Sequence, residues 1–137
     1  MIALNSAALA AIPSRTTCFS YARSALRPGI VHLSGGNFHR AHQAWYIDRL
    51  LEKEGQQDCG ILGVGLMDDA TERLKLEAFP AQDDLYTLTR YAPDGTTYHQ
   101  VIGSLVDYVF APGHSEAVLA AMSDPSVKIV SMTITEG

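Results

Sequence analysis

The residues best suited to chemistry lie in one stretch, Ile30-Val31-His32-Leu33-Ser34-Gly35-Gly36-Asn37-Phe38-His39-Arg40-Ala41-His42. A short apolar run leads into a glycine-bearing turn, and an amphipathic helix begins at once. That order gathers the free backbone N–H groups of a helix start at one point, where an anion such as a nucleotide phosphate is favoured. Against the G-x-G-x-x-G dinucleotide fingerprint the three positions read Ser34, Gly36 and His39, so two of the three glycines are absent. On the motif alone, a ligand-free turn and a cofactor site are equally good readings.

Asp68 and Asp69 follow the next apolar run, where a carboxylate would accept hydrogen bonds from an adenosine ribose and repel a 2′-phosphate. The competing role for either is capping the helix that follows. His39 and His42, three residues apart, share a helix face but lack the further ligands zinc requires, so they read as ordinary surface or helix-end histidines and no metal is expected. Arg40 in a first helical turn opposes the macrodipole, which a bound anion, a carboxylate partner or a nearby loop would explain. Asp48 falls within the apolar stripe of its helix and calls for a buried partner.

The elements that must position these residues are legible in outline. Residues 1–29 read as an N-terminal arm that opens with a short helix, and residues 30–137 as a partial Rossmann-type domain. Ile30 to Leu33 is the first strand. A helix from about Asn37 to Glu54 carries Ala41, Ala44, Ile47 and Leu51 on one side, and Cys59 to Leu66 is the second strand. A helix over about 69–78 is closed by Pro80. The runs 85–91 and 98–110 flank Pro93-Asp94-Gly95 as an antiparallel excursion. Ser115 caps a last helix, and Val127 to Thr135 is a strand buried on both faces, placed beside the first. The fold class is α/β, with a mostly parallel sheet.

With 47% hydrophobic and 18% charged residues the chain is globular, and its 137 residues suit a single domain. The net charge of −5, with ten scattered Lys and Arg, excludes a nucleic-acid groove. No run approaches the ~18 apolar residues of a membrane span. Two distant cysteines, Cys18 and Cys59, suit a reducing, cytoplasmic setting.

The segment Phe38-His39-Arg40-Ala41-His42-Gln43-Ala44 after a glycine turn resembles the polyol-specific long-chain dehydrogenases, the mannitol dehydrogenase family. So do Gly63-Val64-Gly65-Leu66, Gln82-Asp83-Asp84-Leu85-Tyr86-Thr87-Leu88, Ile102 to Asp107 and Ile129 to Gly137, in order along the chain. The resemblance implies the NAD-binding portion of an oxidoreductase that interconverts mannitol and fructose by hydride transfer without a metal. Hexuronate reductases such as fructuronate reductase, or a non-catalytic nucleotide-binding remnant, are the alternatives. It implies that Val31, His32, Leu33, Ser34, Gly35, Gly36, Asn37, Phe38, His39, Arg40 and Ala41 form the phosphate-binding turn. Glu136 matches a glutamate beside the site.

Two departures carry expectations of their own. Ser34 stands where the family usually has glycine, and its Cβ is strained if φ is positive there. The family's ribose carboxylate falls on Ala70, so Asp68 or Asp69 would replace it. The family's catalytic lysine, with its asparagine and histidine companions, lies in a later helical domain, so no catalytic residue is expected within residues 1–137.

Overall fold

The computed structural model describes residues 3–134. In chain order its elements are β1 (Thr16–Thr17), β2 (Pro28–Leu33), α1 (Asn37–Ala41), α2 (Gln43–Leu51), β3 (Gly60–Gly65), α3 (Ala70–Ala81), β4 (Tyr86–Tyr91), β5 (Thr97–Ile102), β6 (Leu105–Phe110), α4 (Ser115–Met122) and β7 (Ile129–Met132). Four strands form a parallel sheet in the order β6-β3-β2-β7, and a smaller sheet runs β1-β5-β4, with β4 and β5 antiparallel. The main sheet therefore grows outward from β2 in both directions. This places a crevice at the carboxyl ends of β2 and β7, where open α/β sheets receive ligands.

Alternation along β2 divides the core. Ile30 packs with Ala44, Ile61, Phe79, Tyr86 and Tyr108 on the side of α2 and α3, whereas Val31 packs with Leu62, Val64 and Val118 on the side of α4. Fully burying each such side chain contributes about 1.5–3 kcal/mol. The two helical layers thus hold β2, and with it the turn at its end, from both faces.

Several sequence expectations are corrected. The helix expected over 37–54 is two helices, because His42 has φ −119° and ψ −84°. Its ring stacks on Phe38 at 4.4 Å, and its Nδ1 bonds the Phe38 carbonyl at 2.8 Å. The run 98–110 divides at Gly103-Ser104, where the Gly103 amide donates to Asp48 and the Ser104 hydroxyl to the Ala44 carbonyl. These bonds end β5 and send β6 into the main sheet beside β3.

Pro80 lies inside α3 rather than beyond it. The N-terminal helix is a 3-10 turn over Ser6–Ala11, and His114, not Ser115, occupies the cap position of α4. Among the described residues β7 pairs only with β2, and Ile129, Val130 and Met132 are exposed rather than buried on both faces. Among the described residues no helix is long and apolar enough to cross a membrane.

Candidate functional site

Ser34 N–H donates to the Val64 carbonyl at 2.8 Å, fastening the turn to the end of β3. The Gly36 amide then folds back onto the Ser34 carbonyl at 2.7 Å, and α1 begins. Gly35 is buried over Tyr108, where an added Cβ would lie 3.0 Å from the ring. Gly36 differs. Its φ of −74° suits any residue, and an added Cβ would meet nothing within 4 Å. Neither backbone nor packing requires glycine there, and the space outside the turn stays open. No side chain caps α1, so its first-turn amides lie beside that space.

Ser34 adopts φ +78°, the strained geometry anticipated for a residue with a Cβ. Ser34→Gly removes about 1–2 kcal/mol of left-handed strain and gives back up to about 1 kcal/mol through a freer unfolded chain. The expected net gain, up to about 1 kcal/mol, is read from the urea midpoint.

Beneath the turn lies a polar cluster missed by the motif reading. His32 and His39 are buried and stacked, with ring centroids 3.6 Å apart. His32 Nδ1 meets Ser131 Oγ at 2.8 Å, and its Nε2 meets the Ser34 carbonyl and Thr133 Oγ1, each at 3.1 Å. His39 Nδ1 meets Gln43 Oε1 at 3.1 Å, and Ser131 Oγ donates to the same oxygen at 3.1 Å. His39 stands in the last turn of α1, as a helix-end histidine, but it is an interior residue and not a surface one, and its Nε2 has no partner among the described residues. The available signal was a histidine at the centre of an otherwise apolar buried strand, which demands neighbours with polar atoms.

Burial, then the nearby His32 and Arg40, pushes His39 down to about 3, while burial also lowers His32. The unfolded chain therefore takes up a proton near pH 6.5 that folded His39 refuses, so its contribution is full above 6.5 and is lost as pH falls toward 3. Asp84, raised to about 6 first by burial and then by the Asp107 charge, acts oppositely between about 4 and 6. The histidine effect is thus read as a difference. His39→Phe keeps the ring, and its stability deficit should shrink by up to about 1.4 kcal/mol per pH unit below 6.5 in unfolding titrations.

Arg40 has no carboxylate partner among the described residues. It donates to Asn37 Oδ1, lies 5.7 Å from the ring centres of both Phe79 and Tyr86, and leaves its buried Nε unpaired. Val31 and Leu33 point into the α4 side of the core, whereas Phe38 and Asn37 are exposed.

Asp68 and Asp69 follow the end of β3, the strand to which the turn is anchored at Val64. Asp69 caps α3 by accepting from the Glu72 amide at 2.9 Å, and exposed Asp68 pairs with Arg73 at 2.5 Å. Glu72 and Tyr108 were also unforeseen. The Tyr108 hydroxyl donates to Glu72, which Lys75 neutralises, and this cluster fills the space that a Cβ on Gly65 would occupy. Asp48 has the partners its position demanded: the Tyr21 hydroxyl (2.6 Å), Gln100 Nε2 (2.9 Å) and the Gly103 amide (2.8 Å). Glu136 lies outside the described residues. Among the described residues no cluster of three His, Cys, Asp or Glu could hold a metal.

A parallel sheet growing both ways from β2, with an open glycine turn at its carboxyl edge and carboxylates after the next strand, defines a Rossmann-type domain. Residues 28–137 match the mannitol dehydrogenase Rossmann domain, and the chain belongs to that family.

It is 46% identical over 129 residues to a polyol:NADP oxidoreductase of Gluconobacter oxydans, covering 94% of this chain and 26% of that protein. With a mannitol 2-dehydrogenase of Pyrenophora tritici-repentis it shares 49% identity over 117 residues, 85% of this chain and 20% of the relative. Two solved structures superpose closely. A substrate-free D-sorbitol dehydrogenase has a TM-score of 0.91 at 43% identity, over 99% of this chain and 28% of that one. The ternary complex of Pseudomonas fluorescens mannitol 2-dehydrogenase with NAD and D-mannitol has a TM-score of 0.90 at 36% identity, over 98% and 27%. The chain spans about a quarter of the length of these relatives.

Proposed function

We propose that this chain holds the nicotinamide dinucleotide of a polyol dehydrogenase that interconverts mannitol and fructose. The observation that carries the reading is Gly36, a glycine without a conformational or packing reason inside the protein, at the mouth of an uncapped helix start. A diphosphate seated there would accept from the amides of Asn37, Phe38 and His39. Ser34 and Gly35 set the turn, His32 and His39 support it from below, and Val31, Leu33, Arg40 and Ala41 frame it. Asp68 and Asp69 hold the adenosine ribose, and Glu136 is assigned to the reacting end by the family resemblance alone. The bound dinucleotide supplies the hydride-accepting ring, and the proton-accepting base is not assigned to any residue here.

We read the cofactor as NAD, from the two carboxylates. A second reading, NADP, is favoured by Arg73, whose guanidinium beside Asp68 offers a cation to a 2′-phosphate, and one relative bears NADP in its name. Fluorescence titration of the chain with NADH and NADPH tests both. Under the first reading NADH binds more tightly, and replacing Asp68 and Asp69 with Asn narrows the ratio about tenfold. Tighter NADPH binding that Arg73→Ala abolishes would select the second. Binding of neither dinucleotide would overturn the function.

A further inference from the structure

We propose a second anion site, for a phosphate group, in a cavity of about 200 Å³ between α2 and the β1-β5-β4 sheet. Arg15, Arg49 and Arg90 all line it, three of the ten basic residues of a chain whose net charge is −5. None of the three lies within salt-bridge reach of a carboxylate among the described residues, where the ion pairs are Arg73–Asp68, Lys75–Glu72 and Lys128–Asp58. The cavity's one carboxylate, Glu52, is already engaged by Ser20, whose amide donates at 2.9 Å and whose hydroxyl donates to the other oxygen. Three guanidinium groups therefore face this space against a single carboxylate.

The site is also built rather than merely basic. Arg90 is held over the rings of Trp45 and Tyr98, at 5.0 and 5.4 Å from their centres. Gln100, buried at the floor, is pinned between Trp45 Nε1, which donates to it at 3.1 Å, and Asp48, to which it donates at 2.9 Å. A guanidinium held against aromatic rings, as Arg90 is, loses little freedom on binding and presents a planar fork to a tetrahedral oxyanion, while the exposed Arg15 and Arg49 supply further charge. A water needs only about 10–15 Å³ of such space, so the cavity has ample room for a five-heavy-atom phosphate. Arg49 sits in the last turn of α2, at the other end of the α1–α2 segment from the glycine turn.

Trp45 is the chain's one tryptophan and lies directly under Arg90, so its emission reports on the cavity. Titrating the chain with inorganic phosphate at fixed ionic strength should give a saturable change in that emission. Arg49→Gln and Arg15→Gln should each weaken the response about tenfold, and Gly36→Val should leave it intact. Hexose 6-phosphate in place of inorganic phosphate separates the sources: tighter binding assigns an ester, equal binding free phosphate. A response that is non-saturable, equalled by sodium chloride, or untouched by both arginine variants would overturn the proposal. Loss of the response in Gly36→Val alone would place the phosphate on the glycine turn and overturn it too.

Discussion

Gly36→Val is expected to bind NADH about 10- to 100-fold more weakly than the parent chain while keeping its fold. The argument rests on what the position does not touch. At φ −74° a valine backbone is unstrained, and no atom beyond the adjoining residues lies within 4 Å of an added Cβ. The β-branched side chain therefore projects only into the volume assigned to the diphosphate. Pushing an anion off one or two backbone amides forfeits charge-assisted hydrogen bonds of about 1.5–3 kcal/mol each, and 1.4 kcal/mol is tenfold in affinity. Losing glycine from a helix cap costs the fold up to about 1 kcal/mol, which circular dichroism and a urea midpoint would register separately. Undiminished NADH binding would remove the diphosphate from this turn.

Asp48→Ala should destabilise the chain by about 3–5 kcal/mol, a large share of the 5–15 kcal/mol typical of a domain. Asp48 is 1% exposed, and it accepts from three groups brought from three places: the Tyr21 hydroxyl, the Gln100 amide and the Gly103 backbone. Alanine leaves all three donors buried without an acceptor. Asp48→Asn should cost less, about 1–2 kcal/mol. One oxygen still serves Tyr21 and Gly103, but the new NH2 opposes Gln100, which cannot turn over without losing Trp45. Urea unfolding followed by far-UV dichroism ranks the three proteins. An alanine variant within 1 kcal/mol of the parent would show that the three donors find other partners.

The features legible in the sequence were those set by local pattern. The apolar runs around Val31 and Val64, the glycine turn, the Asp69 cap and the antiparallel excursion each follow from periodicity or turn chemistry within a few residues. The features that escaped depend on partners far along the chain. Gly103 and Ser104 break a strand because Asp48 and Ala44, more than fifty residues earlier, take their hydrogen bonds. His39 reads as polar and exposed until β7 brings Ser131 against Gln43 and His32. Even the stop at His42, which involves only Phe38 four residues away, is a side-chain interaction that periodicity does not encode. At the site, the glycines mark the mouth of the crevice, whereas the buried groups supporting it come from strands that meet only in the folded sheet.

The outward side of β7 has its own consequence. Met132 and Ile129 there are about half exposed, on a strand whose free backbone groups have no neighbour among the described residues. Such a border is a template for any extended segment with matching donors and acceptors, including the same strand of a second molecule. A strand added there would lie next to Ser131, whose hydroxyl joins His32 and Gln43, so the edge and the floor of the crevice share one element.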